Sequence, residues 1–186
     1  MPEKVKVEHI YKVFGPSPEE PVRLLQEGAS KDAILQETGN VVGVADASFS
    51  VAPGQVFMVM GLSGSGKSIL IRCINRLVAP TSSSVYVDDA DIMALTNSQL
   101  RELRRTKMAM VAQHFARFPD KTVTENVEYG LKVRGVNPRQ RREKARETLA
   151  LVGLQGWEDQ YPESLSGGMQ QRVGLALALA TDPEFC

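Results

Sequence analysis

Lys4-Val5-Lys6-Val7-Glu8-His9-Ile10-Tyr11 alternates polar and apolar residues, which predicts a half-exposed strand with Val5 and Val7 on one face. Phe14-Gly15 ends it. After the breakers Pro16, Pro18 and Pro21, apolar residues at Val22, Leu24, Leu25, Ala29, Ala33, Ile34 and Leu35 predict two short amphipathic helices parted at Gly28 and stopped by Gly39-Asn40. Val41–Val51 reads as another strand, and Pro53-Gly54 turns the chain into an apolar run, Val56-Phe57-Met58-Val59-Met60, predicted as a strand. Ala79–Ser84 reads as a loop, Val85-Tyr86-Val87 as a short strand closed by Asp88-Asp89, and Ser98–Lys107 as a basic helix. Met108–Ala112 is a further predicted strand, ending at Gln113. From Thr122 the pattern turns helical. Asn137 caps a helix with Pro138 at its first position, whose Ala145, Leu149 and Val152 form an apolar stripe and whose arginines form a solvated face. It stops at Gly153.

Between the run at 56–60 and the helical pattern Ile69–Ile74 lies Gly61-Leu62-Ser63-Gly64-Ser65-Gly66-Lys67-Ser68. Strand, glycine-rich loop and helix in that order make a phosphate-binding site. Glycines at 61, 64 and 66 let successive backbone N–H groups approach a polyphosphate, and the following helix offers its positive end to the same anion. Lys67 would reach the β- and γ-phosphates, and Ser68 would supply one Mg²⁺ ligand. A nucleoside triphosphate is the expected ligand.

Composition adds constraints. The chain has 186 residues, 22 Lys+Arg and 22 Asp+Glu, so it is long enough for a sizeable core and its balanced charge gives no reason to expect a nucleic-acid partner. Cys73 and Cys186 make no disulfide framework, which fits a reducing cytoplasm. His9 and His114 stand apart from any Cys/His spacing. No signal peptide is expected from the N-terminal charge pattern, and no apolar run approaches the roughly 20 residues that span a bilayer. Membrane association is therefore expected to go through a partner. Val22, Leu25, Ile34 and Leu35 are expected to pack on the domain, because Glu19, Glu20, Glu27, Asp32 and Glu37 would be repelled by anionic lipid.

The second diagnostic stretch, Leu165-Ser166-Gly167-Gly168-Met169-Gln170-Gln171-Arg172, again opens into a helix. With the phosphate loop and a strand ending in Gln before it, the chain resembles the ATP-binding subunits of ABC transporters over nearly its whole length. The insert between Phe14 and Val44, with GLSGSGKS, INRL and YPESLSGGMQQRVGLA, resembles the importers of glycine betaine, proline betaine and related quaternary amines. The resemblance implies an α/β phosphate-loop ATPase fold: an ATP-binding core over 1–112 with the insert at about 16–40, a helical subdomain over 113–168, and the signature helix over 169–186. It implies that Phe14 stacks on adenine, that Gly61, Ser63, Gly64, Ser65, Gly66, Lys67 and Ser68 hold ATP, and that Ser68 and Gln113 contact Mg²⁺. Gln113 also touches the attacking water and senses the membrane subunit. Ser166, Gly167 and Gly168 then cap the γ-phosphate held by a second ATP-binding chain in a head-to-tail dimer. The further partners are a membrane-embedded permease and, indirectly, a periplasmic or extracellular substrate-binding protein. This localises the subunit to the inner face of the cell membrane.

The chain also departs from that pattern. Ser83 and Asp89 stand for turn glycines, Ala112 for an aromatic, Arg117 and Asp120 for an apolar residue and a histidine, and Leu177 for an arginine. The sequence ends at Cys186, before the family's Asp-Glu strand (Walker B) with its catalytic Glu and before the switch histidine. A truncated copy is the expectation, with an unpaired apolar edge at 56–60 and little turnover of ATP. Two other classes stay open: a fragment that binds nucleotide or partner without turnover, and a phosphate-loop kinase or GTPase. LSGGMQQR and the absence of an Asn-Lys-x-Asp stretch disfavour the last.

Overall fold

The N-terminal alternation becomes β1 (Val5–Phe14), which buries Val5, Val7, Ile10, Tyr11 and Val13. It pairs antiparallel with β2 (Val41–Val51) on one side and β3 (Ser82–Val87) on the other, and β4 (Ala90–Asp91) completes a four-stranded sheet in the order β2-β1-β3-β4. The computed structural model describes residues 3–112 and 118–186; Gln113, His114 and Arg117 lie outside the described residues. Its contacts divide the chain into two units, Met1–Asn97 and Ser98–Cys186.

In the first unit the insert forms α1 (Glu19–Gln26) and α2 (Lys31–Thr38), separated at Gly28 as the periodicity predicts. Val22 and Ile34 are buried against Tyr11, Val13 and Val42, with Leu24 and Leu25 packed at the margin. Leu35, expected to join them, is 48% exposed: with Ile34 turned fully inward, its neighbour falls on the other side of the helix.

The β1–β2 ladder is interrupted by three bulges, each read from its register. Between Val7↔Phe49 and Ile10↔Ala47 the extra residue is in β1, where His9 takes φ +49°. Between Ile10↔Ala47 and Lys12↔Val44 it is in β2, where Asp46 takes φ +47°, and the His9 Nδ1 and Asp46 Oδ1 atoms meet at 2.8 Å. Between Lys12↔Val44 and Val13↔Val42 the unmatched residue is Gly43.

β3 and β4 are joined by Asp88 and Asp89 at φ +48° and +63°, the geometry of a type I′ hairpin. Asp89 thus occupies the left-handed conformation expected of a turn glycine. Ser83 does not; it lies inside β3 without a positive φ.

The run Val56–Met60 forms no strand. It enters no ladder among the described residues, and Val56 is 87% and Met60 84% exposed. Phe57 is stacked on Phe49 of β2 with ring centroids 4.5 Å apart. Apolar composition marks a run ready to pair, but a ladder needs a neighbour on at least one side. The phosphate-loop helix α3 (Lys67–Ile74) follows, with Leu70 and Cys73 buried.

The second unit contains α4 (Asn97–Thr106) from its second residue on, α5 (Val123–Val127), α6 (Tyr129–Val133), α7 (Pro138–Leu151) and α8 (Gly167–Leu179). Thr122 and Glu125 form a reciprocal capping box on α5, and the Asn137 side chain caps α7 through the Arg139 amide at 3.0 Å. Val123, Val127, Leu131, Ala145, Leu149, Leu165, Val173 and Ala176 make one core, while Arg139, Arg142 and Arg146 face solvent. Among the described residues Met108–Ala112, expected as a strand, makes one isolated parallel bridge, Met108 to Phe185, with Ala109 N donating to Phe185 O at 3.0 Å. Among the described residues no helix is long and apolar enough to cross a membrane.

Candidate functional site

The glycine-rich loop is built around Lys67. Its ammonium donates to the carbonyl oxygens of Gly61 at 2.7 Å and Leu62 at 2.6 Å and to Ser65 Oγ at 3.3 Å, so the charge is drawn across the concave side of the loop. A Cβ on Gly61 would lie 2.8 Å from Ser65 Oγ, which shows how closely the loop folds on itself. Gly66 is the N-cap of α3 at φ +97° and has no side chain to offer the helix. The first intrahelical bond runs from Leu70 N to Gly66 O at 2.8 Å, so the amides of the first turn point out of the helix without an intrahelical acceptor. Ser68 stands exposed in that turn. A cradle of uncapped amides, one lysine and one hydroxyl suits a polyphosphate and the cation that accompanies it.

β2 positions this cradle through Gly43. A Cβ on Gly66 would lie 2.2 Å from the Gly43 carbonyl oxygen, and a Cβ on Gly43 would lie 2.9 Å from Phe14 Cε2 and 3.1 Å from Ile69 Cδ1. The bulge residue is therefore the seat on which the loop, the start of α3 and the Phe14 ring all rest. Phe14 remains 41% exposed, with Lys12 Nζ 4.7 Å from its ring centroid. Beneath α3, burial pushes the Cys73 thiol up from its ordinary pKa, against a smaller opposing pull from Lys12, which keeps it a protonated filler.

In the second unit Ser166 caps α8, its Oγ accepting from Met169 N at 3.4 Å, and Gly167 and Gly168 are exposed at the same helix end. Gln170 fixes this entry by donating through Nε2 to Pro162 O at 2.8 Å and Leu165 O at 3.0 Å, with Leu165 buried as the anchor. Phe14 and residues 61–68 are thus gathered in the first unit and Ser166–Gly168 in the second. Sequence reasoning passes over Gly43, Lys12 and Gln170. A lone glycine inside a predicted strand is the available signal for Gly43; nothing in the pattern marks the other two.

A family model described as ABC transporter matches residues 44–186, a range that includes both the 61–68 loop and the Ser166 loop. The chain belongs to the ABC transporter family. Among the relatives of this ABC chain, the glycine betaine transport ATP-binding protein OpuAA of Bacillus subtilis is 52% identical over 99% of the chain and 44% of its own length. The glycine betaine/proline betaine transport system ATP-binding protein ProV of Escherichia coli is 46% identical over 98% of the chain and 46% of its own length. The chain spans about half the length of these curated relatives. Its fold is that of solved ABC cassettes: the dimeric bacterial cassette MJ0796 matches with TM-score 0.79 and 29% identity over 96% of the chain and 70% of that cassette. A second structure of MJ0796, in a post-hydrolysis state bound to ADP and Pi, matches equally well, with TM-score 0.79 at 30% identity.

Proposed function

We propose that this chain is the ATP-binding subunit of an importer of a quaternary amine such as glycine betaine or proline betaine, and that ATP binding and hydrolysis drive uptake through a membrane-embedded permease. The observation that carries the proposal is the seating of an uncapped helix start and a lysine-centred glycine loop on the Gly43 bulge, beside an exposed aromatic ring. The relatives' names support the amine class.

In this reading the first-turn amides of α3 and Lys67 bind the β- and γ-phosphates. Phe14 stacks on the base, a contact that any π-face accepts and that costs no hydrogen-bond matching. Ser68 and Gln113 hold Mg²⁺, which when bound neutralises charge on the terminal phosphates. Gln113 also orients the attacking water. Ser166, Gly167 and Gly168 present a hydroxyl, backbone amides and a helix end to the γ-phosphate held by a second ATP-binding chain, so each site is completed head-to-tail. The subunit sits at the inner face of the cell membrane against its permease, which an extracellular or periplasmic binding protein supplies with substrate.

The test is uptake. Proteoliposomes containing the permease and the intact subunit that carries this sequence, loaded with ATP, are expected to accumulate labelled glycine betaine, and Lys67→Ala is expected to abolish accumulation. Uptake independent of ATP or of Lys67, or no uptake with either chain, contradicts the proposal.

A further inference from the structure

We propose that Lys12 is a positioning residue for nucleotide-base recognition: with its ammonium over one face of Phe14, it fixes and polarises the ring so that the other face stacks on a purine. This rests on the nucleotide reading above and adds to it a residue that contacts neither phosphate nor base.

Lys12 and Phe14 lie two residues apart on β1, so alternation puts both side chains on one face of the strand. Opposite them, Lys12 pairs with Val44 between two register shifts whose extra residues lie in β2, and a Cβ on the unmatched Gly43 would crowd the Phe14 ring and Ile69. The half-buried Lys12 thus places Nζ 4.7 Å from the ring centroid, within the range of a cation–π contact, and close enough to α3 for the Cys73 thiol to feel it. Among the described residues no carboxylate pairs with the Lys12 ammonium. The charge is therefore not spent on an ion pair, and the ring's π-face is its acceptor.

The chemistry follows from the ring quadrupole. A cation on one face draws π-density toward itself and leaves the opposite face poorer in electrons, which favours stacking with an electron-rich purine. It also holds the ring in one orientation, so that less freedom is lost when a base arrives. Both effects act on the base and neither acts on the phosphates.

The experiment is equilibrium titration of chain 1–186 and its variants with Mg-ATP and, separately, with inorganic tripolyphosphate, at physiological salt so that long-range attraction is screened. Lys12→Met keeps the stem and removes the charge. It is expected to weaken ATP binding about 3- to 10-fold while changing tripolyphosphate binding less than about 2-fold. Lys12→Arg is expected to restore ATP binding, and Lys12→Met is expected to have no further effect once Phe14→Leu is present. Circular dichroism of each variant reports its fold. Equal ATP affinity for parent and folded Lys12→Met overturns the inference alone, as does equal weakening toward ATP and tripolyphosphate, which would make Lys12 a phosphate contact. If Lys12→Met unfolds, failure of the folded Lys12→Arg chain to bind ATP like the parent overturns it. A parent chain that binds no ATP overturns the nucleotide reading and this inference with it.

Discussion

Gly66 rests against Gly43: a Cβ at position 66 would lie 2.2 Å from the Gly43 carbonyl oxygen. The N-cap of α3 is thereby held against the backbone of β2, and no side chain larger than hydrogen fits between them. Gly66→Ala must also adopt φ +97°. The obstacle is backbone, so it cannot rotate away, and the substitution is expected to destabilise the first unit by about 2 kcal/mol or more. Gly64 provides the control, since its φ is +81° but a Cβ there meets nothing within 4 Å. Gly64→Ala is expected to cost only the conformational term, about 1 kcal/mol. Urea unfolding of the two variants checks the order; equal losses would show that the Gly43 contact carries no weight.

Asp89→Gly is expected to stabilise the chain. Asp89 takes φ +63° in the hairpin, and relieving a left-handed residue returns about 1 kcal/mol, partly offset by the greater freedom of glycine in the unfolded chain, for a net gain of about 0.5 kcal/mol. Asp88 is left in place because its carboxylate pairs with Lys4 at 2.7 Å. A lower thermal midpoint for Asp89→Gly would contradict this account of the turn.

Asn126 is fully buried and ties down the chain on its N-terminal side. Its Oδ1 accepts from Phe118 N at 2.7 Å, and its Nδ2 donates to the carbonyls of Phe118, Lys121 and Thr122 at 3.0, 3.0 and 2.9 Å. Asn126→Ala strands these groups, with an expected loss of about 3 kcal/mol. Asn126→Asp keeps the acceptor and loses the donors, so it is expected to be destabilising as well. Chemical denaturation followed at Trp157 measures both.

Elements whose burial is periodic are legible in the amino-acid sequence alone. β1, β2, the paired insert helices and α7 with its Asn137-Pro138 start follow from local pattern, because each buries one face and its caps are local. Val56–Met60 and Met108–Ala112 are not, since strand formation depends on a neighbour that composition does not name. The loop 61–68 is readable because its chemistry is local in sequence. Its seat is not: Gly43 matters through a register slip and contacts to Phe14, Gly66 and Ile69, all distant along the chain. Lys12 and Phe14, by contrast, share a face by strand alternation, but that the ammonium settles over the ring rather than in solvent is seen only in the structure.

Whether the loop centred on Lys67 is a nucleoside-triphosphate site or a turn is read out by equilibrium titration of chain 1–186 with ATP and Mg²⁺. Lys67 supplies the one side-chain charge drawn across the loop, by its bonds to Gly61 O and Leu62 O. Removing it deletes charge-assisted bonds to phosphate worth about 1.5–3 kcal/mol, so Lys67→Ala is expected to bind ATP about 10- to 100-fold more weakly than the parent, with the circular dichroism spectrum retained. Saturable binding by the parent and this loss in the variant is the predicted result. No saturable binding by a folded parent, or equal affinity in a folded Lys67→Ala chain, would contradict the account.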